Sequence, residues 1–423
     1  MREIGVKYPT EKLRFTNDFP LGVCNEIVEK SAIDTVHGAD FYGERGEMNM
    51  AKKLGFGLMR LPLNNPNDDS DIDIETVKKM VDAFIENGFT YFDTALMYCA
   101  GKSEEAVKTA LTSRYPRDKY TLATKLHAGF FNTLEERDKV FYGQLEKTGV
   151  EFFDYYLIHD VGVDHYKKYT ELDCFNWLIE KKKAGLVKNI GFSFHDSAEF
   201  LDKVLTEHPE MDFVQLQINY LDWDSAGVQS RKCHEVAVKH GKKIIVMEPV
   251  KGGTLANVPE EAEKLLKEYN PSASVPSWAI RFAASCENVF MVLSGMSNLE
   301  QLADNMSYMR DFVPMNDTER ELCKKAAAII NGNIAIPCTG CSYCTEGCPM
   351  NIAIPKYFSL YNTDLLDSKG KDWTPQGEYY DRLSEIFGKA SDCIGCGQCE
   401  SVCPQHLPII EHLKTVAEYF ERS

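Results

Sequence analysis

LGFGLMRL (54–61), YFDTA (91–95), YTLATKL (120–126), FDYYLIHD (153–160), NIGFSFH (189–195), FVQLQINY (213–220), KIIVMEP (243–249) and VFMVLSG (289–295) are eight short apolar runs of strand type. Amphipathic stretches separate them. Between the first two, Val77, Met80, Val81, Phe84 and Ile85 fall at i, i+3, i+4, i+7, i+8 spacing, one apolar stripe on a helix. Asn87-Gly88 then stops that helix, as a C-terminal cap does. The same periodicity predicts helices over 103–114, 134–148, 173–184, 198–207, 228–240, 260–286 (broken by Pro271 and Pro276) and 298–309. Strand and helix alternating this regularly predict an α/β fold, a closed parallel (β/α)8 TIM barrel. A doubly wound sheet competes, but its glycine-rich G-x-G-x-x-G turn is absent.

Beyond the barrel, cysteines dominate. Cys338, Cys341, Cys344 and Cys348 read C-x2-C-x2-C-x3-C followed by Pro349, and Cys393, Cys396, Cys399 and Cys403 repeat the spacing before Pro404. This is the pattern of a two-cluster [4Fe-4S] ferredoxin. Three close thiolates cap three corners of a cube, and the fourth points away to the other cluster. The expected sets are Cys338, Cys341, Cys344 with Cys403, and Cys393, Cys396, Cys399 with Cys348. Zinc also takes four thiolates, but usually as two pairs across a wide gap. The segment 349–392 reads as helical, with LSEIFGKA (383–390) leading into the second cysteine loop and HLKTVAEYF (412–420) as a closing helix. The expected domains are residues 1–50, an N-terminal extension, 51–326, the barrel, and 327–423, a mainly α-helical dicluster ferredoxin-like domain, with NGNIAIP (331–337) as linker.

Bulk composition fits this division. Hydrophobic residues make up 44% and aromatics 11% of 423 residues, enough for a large core. A net charge of -17 argues against nucleic acid as a partner, because its phosphates would be repelled. No run reaches the roughly 18 apolar residues of a membrane span, and MREIGVKYPTEKLRF lacks a signal-peptide core. The expected compartment is the cytoplasm, where thiols stay reduced and cysteine clusters bind metal. The other six cysteines (Cys24, Cys99, Cys174, Cys233, Cys286, Cys323) read as small buried side chains. Residues 1–47 show no strong period. Glu44-Arg45-Gly46-Glu47 before Met48 and Met50 can be encoded by a purine-rich run resembling a ribosome-binding site. Translation starts there, or the segment is a true extension; N-terminal sequencing distinguishes the two.

Active sites on such barrels lie at the C-terminal ends of the strands. Asp93, Lys125 and His159 stand there on three consecutive strands, and Tyr98 follows Asp93 in the next loop. FDTALMYCAGKSEE, LATKL, YYLIHD and LGFGLMRLP resemble the aldo/keto reductase superfamily over roughly residues 52–325. With the cysteine region, the chain resembles that family's iron–sulfur-containing type. The resemblance implies Tyr98 as general acid, Asp93 and Lys125 as its tuners, and His159 as the group orienting a substrate carbonyl. A free phenol titrates near ~10, and an adjacent ammonium such as Lys125 is expected to lower it. His159 can donate an N–H to the oxygen on which charge develops.

The resemblance also implies NAD(P)H, extended over the barrel mouth. Ser193 and Gln217 are then expected at the nicotinamide amide. Lys251 and Gly252, with Ser294, Gly295, Gln301 and Asn305, are expected along the phosphates. Here the chain departs from the family pattern. Phe194 replaces the usual Asn, Met247 the usual aromatic, Glu248 adds an anion, and 294–305 contains no Lys or Arg for a 2'-phosphate. These departures weaken NADPH (NADP) and leave NADH, weak nicotinamide binding or a different cofactor open, such as a flavin held at the loops after strands seven and eight. Hydride carriers move electron pairs and clusters move single electrons, so direct coupling requires a switching centre such as a flavin.

The functional expectation is an oxidoreductase that reduces a carbonyl to an alcohol or runs the reverse. It carries two [4Fe-4S] clusters and takes a small-molecule substrate, with a ferredoxin-like redox partner as an option for the clusters. The alternative is an electron-transfer or redox-sensing protein with a catalytically silent barrel. VGVDHYKKYTELD (161–173) and LDWDSAGVQS (221–230), with Tyr220 and Trp223, are the expected substrate walls.

Overall fold

The computed structural model describes residues 52–224, 228–333, 335–367 and 375–421; the translation-start question lies outside them. Eight parallel strands close a barrel in sequence order: β1 Leu54–Gly57, β2 Tyr91–Asp93, β3 Thr121–His127, β4 Phe153–Val161, β5 Val187–Phe194, β6 Phe213–Gln217, β7 Lys243–Met247 and β8 Val289–Gly295. Every predicted run contributes its strand. β1 pairs with β8, Gly57 opposite Gly295, which completes the ring.

Side chains alternate along each strand, so one parity faces the barrel axis. Tyr91, Ala123, Leu157, Phe213, Ile245 and Met291 form an apolar cluster separate from the main core, filling the barrel's lower interior. Two residues further along the same strands come Asp93, Lys125, His159, Gln215 and Met247. The polar set therefore sits one layer above an apolar plug, at the mouth. The opposite parity packs under the helices, with Phe56, Phe92, Leu122, Ile158, Val214 and Val246 in the main core.

Helices Leu134–Thr148 and Ala198–Glu207 have the predicted bounds. The long predicted helix breaks between Tyr269 and Val275. Pro276 lies in the first turn of the second piece, where its missing N–H costs nothing. Helix Asp317–Asn333 runs through the expected boundary at 326 and into the expected linker. It is anchored by buried Cys323, Ala326 and Ile330 and by an Arg281–Glu319 ion pair of 2.8 Å.

The cysteine-rich region is mainly helical, with its own core of Ile354, Tyr357, Phe358, Tyr380, Leu413 and Val416. One expectation fails in part: in LSEIFGKA only Leu383 and Ser384 are α-helical, ending helix Pro375–Ser384, and Ala390 opens a short 3-10 helix. Gly388 instead bridges Ile352, its N–H donating to the Asn351 carbonyl and its own carbonyl accepting from Tyr357. Partners from an earlier segment of the same chain have taken the backbone groups a helix would use. Five of the six scattered cysteines are buried as predicted, and Cys24 lies outside the described residues.

The module is seated on the barrel mouth. The loop after β7 makes the contact: Lys251 Nζ donates to Gln405 Oε1 at 3.0 Å, and Gly252 abuts the backbone of Thr339. A Cβ on Gly252 would stand 1.7 Å from the Thr339 carbonyl oxygen, and its φ of +65° is left-handed. Gly252→Ala is expected to cost at least ~1 kcal/mol from the backbone conformation alone, with the collision added. A lower Tm checks it, against an unchanged or raised Tm for Gly143→Ala, where nothing lies within 4 Å.

Candidate functional site

A cavity of about 600 Å³ opens at the barrel mouth, with Asp93 and Tyr98 in its lining. The turn after β2 delivers Tyr98 half-buried into it, and Cys99 and Ala100 directly behind adopt left-handed φ of 52° and 51°. Asp160 (φ 56°), beside His159, and Glu248 (φ 54°), after β7, are left-handed too. Left-handed non-glycine residues thus flank Tyr98 and His159, and Glu248 lines the cavity itself.

Lys125 Nζ donates to Asp93 Oδ1 at 2.5 Å and to the Thr94 carbonyl at 2.8 Å, and lies 4.8 Å from the centre of the Tyr98 ring. Behind it, Gln144 donates to the Lys125 carbonyl and to Glu104, fixing β3 from below. The Tyr98 and His159 rings meet edge-on at 6.1 Å. The four expected residues are therefore neighbours.

Their electrostatics differ from expectation in one respect. Burial, then the charges of Asp93 and Glu248, push the Tyr98 phenol well above its ordinary range, so it holds its proton. The opposing charge comes from Arg60, not from the expected Lys125, which is paired with Asp93. Burial pulls the Lys125 ammonium down while Asp93 pushes it up. Burial also drives His159 well below the usual imidazole range, with the charges of His127 and Lys125 adding to it. His159 is neutral at pH 7.

Backbone register places His127 opposite His159, with ring centres 5.3 Å apart. His127, Asp160 and His165 bring ligand-type atoms within 4.8 Å of one another. His127 Nδ1 accepts from the Gly129 N–H at 3.0 Å, which leaves the proton of a neutral ring on Nε2, as a donor. Burial first, and the His165 charge second, pull His127 down to about 4. Between pH 6.5 and about 4 the unfolded chain binds more protons at this position than the folded one, so stability falls as pH falls through that window. His127→Gln is expected to flatten the decline in urea unfolding free energy between pH 7 and 5.

Of the expected cofactor residues, Gln217, Gly252, Ser294, Gly295, Gln301 and Asn305 line the cavity. Ser193 and Lys251 do not. The Ser193 hydroxyl accepts from the Asp160 N–H at 2.8 Å, holding the left-handed turn beside His159. Lys251 is buried against Asp222 at 2.5 Å. The expected substrate walls are displaced as well. Tyr220 and Trp223 line a separate cavity of about 690 Å³, and Trp223 packs edge-on against Phe282. The loop 161–173 is absent from the lining of the Tyr98 cavity.

The actual roof comes from the cysteine module: Thr339, Cys341, Tyr343 and Pro404 line the cavity together with Tyr98. The Tyr343 ring meets His195 edge-on at 6.2 Å. Arg60 and Glu248 add a charged pair 3.6 Å apart at the same mouth. None of Arg60, His195 or Tyr343 was singled out from the sequence. The available signal was Tyr343 itself, a large aromatic inside a loop that metal binding alone does not require.

Cys338, Cys341, Cys344 and Cys403 surround one small shared cavity. Burial, then the neighbouring cysteines, raise the Cys344 thiol, and burial brings Cys341 up to about 12. Four cysteines facing one cavity offer the soft sulfur donors that an iron–sulfur cluster takes as thiolates. Gly340 N–H points at Cys338 Sγ and Ile352 N–H at Cys348 Sγ, each 3.5 Å away, the kind of hydrogen bond that stabilises cluster sulfurs. The donor set fits an iron–sulfur cube.

Fold and site together define a (β/α)8 barrel whose polar mouth is roofed by a cysteine-rich dicluster module. Residues 53–328 match the profile of the aldo/keto reductase family, and residues 337–407 that of a 4Fe-4S dicluster domain. The chain belongs to the aldo/keto reductase family. It is 29% identical over 148 residues to an aldo-keto reductase of Mycobacterium sp. (strain MCS), a match covering 34% of this chain and 47% of that protein. It is 31% identical over 153 residues to the glyoxal reductase of Bacillus subtilis (strain 168), covering 34% and 48%. The chain thus spans about half the length of these curated relatives. Among solved structures, the holo form of an aldo-keto reductase from Bacillus halodurans superposes with a TM-score of 0.53 at 23% identity, covering 65% of this chain and 91% of that one. An aldo-keto reductase from Klebsiella pneumoniae in complex with NADPH gives 0.52 at 17%, also covering 65% and 91%. Among the described residues no helix is long and apolar enough to cross a membrane.

Proposed function

We propose that this protein is an iron–sulfur oxidoreductase that interconverts a small carbonyl compound and its alcohol, with Tyr98 as the general acid. The observation that carries the reading is the packing of Tyr98, Lys125, Asp93 and His159 at one end of the barrel, with Tyr98 lining the cavity. Tyr98, protonated at neutral pH, gives its proton to the carbonyl oxygen as charge develops there. Neutral His159 orients that oxygen, and Lys125, held by Asp93, stabilises the phenolate left behind. Gln217, Ser294, Gly295, Gln301 and Asn305 hold the nicotinamide nucleotide. The cysteines hold two [4Fe-4S] clusters in the crossed sets named above, which supports a ferredoxin-like partner. When bound, NAD(P)H supplies a hydride, the clusters supply single electrons, and a flavin would exchange one currency for the other.

A second reading, an electron-transfer or redox-sensing protein with a silent barrel, is favoured by one observation: Asp222 has taken up Lys251, the cation expected at the phosphates. An anaerobic visible spectrum of cluster-loaded protein, before and after NADH or NADPH, combined with a carbonyl screen, separates the two. Turnover of any carbonyl supports the enzyme. A screen negative with both nucleotides, while the clusters cycle with a low-potential one-electron donor, rejects it.

A further inference from the structure

Cys341 belongs to the first cysteine group and also lines the cavity that holds Tyr98. Tyr343, two residues on, stands against His195 on the barrel side. Pro404, next to Cys403 of the same group, closes the roof. Cys341 and Thr339 are shared by the cavity wall and by the pocket that the first cysteine group surrounds. On the barrel side, Gly252 packs against the Thr339 backbone with no room for a Cβ. Arg60 and Glu248, 3.6 Å apart, line the same space, together with the carboxyl side chains Asp93, Glu300 and Asp304.

We infer that the barrel cavity and the first cysteine group (Cys338, Cys341, Cys344, Cys403) form one composite site, in which a molecule bound beside Tyr98 touches the wall of the iron–sulfur centre. The inference rests on the reading of that cavity as the reaction site and extends it. Tyr343 is then a positioning residue on the roof, facing the acid on the floor. Coupling follows from charge. An electron added to the first group by a one-electron donor puts one negative charge at the cavity wall, so an anionic occupant binds the reduced protein more weakly. Linkage makes this reciprocal: a tenfold loss of affinity on reduction equals a drop of about 59 mV in midpoint potential when that occupant is bound. The second group differs in setting, for Cys396 is exposed and none of its cysteines lines the cavity.

The test is a redox titration of the full, cluster-loaded chain followed by electron paramagnetic resonance. Glu248→Gln removes a negative charge from the cavity and is expected to raise one of the two midpoint potentials. Arg60→Gln removes a positive charge and is expected to lower that same one. The other potential stays in place in both. Variants that leave both potentials unmoved, or shift the two together, overturn the composite site. Opposite shifts confined to one centre, in a protein that turns over no carbonyl, retain the composite site and reject Tyr98 as a working acid.

Discussion

Tyr98→Phe is expected to lower carbonyl turnover by about 10²- to 10⁴-fold, the usual worth of a positioned general acid, while leaving cluster absorbance unchanged. The aromatic ring survives the substitution, so the edge-on contact with His159 and the stacking under Lys125 are retained and only the proton donor is lost. The high phenol adds a second signature. With burial and two carboxylates holding the proton on Tyr98, reduction by the unaltered protein is expected to be flat from neutral pH into the alkaline range. A rate falling with a midpoint near 7 would assign the acid to another group. Steady-state kinetics of both proteins across pH decide it, and full activity in the Phe variant would remove Tyr98 from the chemistry.

Lys125→Met is expected to destabilise the barrel by about 3–5 kcal/mol, because it leaves a buried carboxylate without its counter-ion. Asp93 is 2% exposed and its Oδ2 has no hydrogen-bond partner, so the contact to Lys125 is the main compensation for its burial. The double variant Asp93→Asn with Lys125→Met removes the orphaned charge. It is expected to be more stable than Lys125→Met alone and equally inactive. Denaturant unfolding of the three proteins measures both statements. A Met variant as stable as the parent would mean that Asp93 is protonated in the folded chain.

The barrel was legible because its information is local. Alternation along YTLATKL and FDYYLIHD assigns Lys125 and His159 to the inner face, and a stripe such as Val77, Met80, Val81, Phe84 assigns a helix to the outside. Cysteine spacing marks the module for the same reason: metal geometry is written within a dozen residues. What escaped depends on contacts between distant segments. Tyr343 reaches the cavity because one domain roofs the other, and no period in either half contains that fact. Lys251 looked like a phosphate ligand until Asp222, 29 residues earlier, was found beside it. The phenol's titration depends on burial and on the partner that Lys125 prefers, neither of which strand parity specifies.

Helix Asp317–Asn333 bears on how the two halves can be separated. A break at residue 326 falls between Cys323 and Ile330, both wholly buried in the main core, so truncation there strips apolar cover from that core instead of trimming a tether. A protease probing the intact protein finds no floppy hinge at that point. Removing the module also removes the wall that Thr339, Cys341, Tyr343 and Pro404 give the Tyr98 cavity.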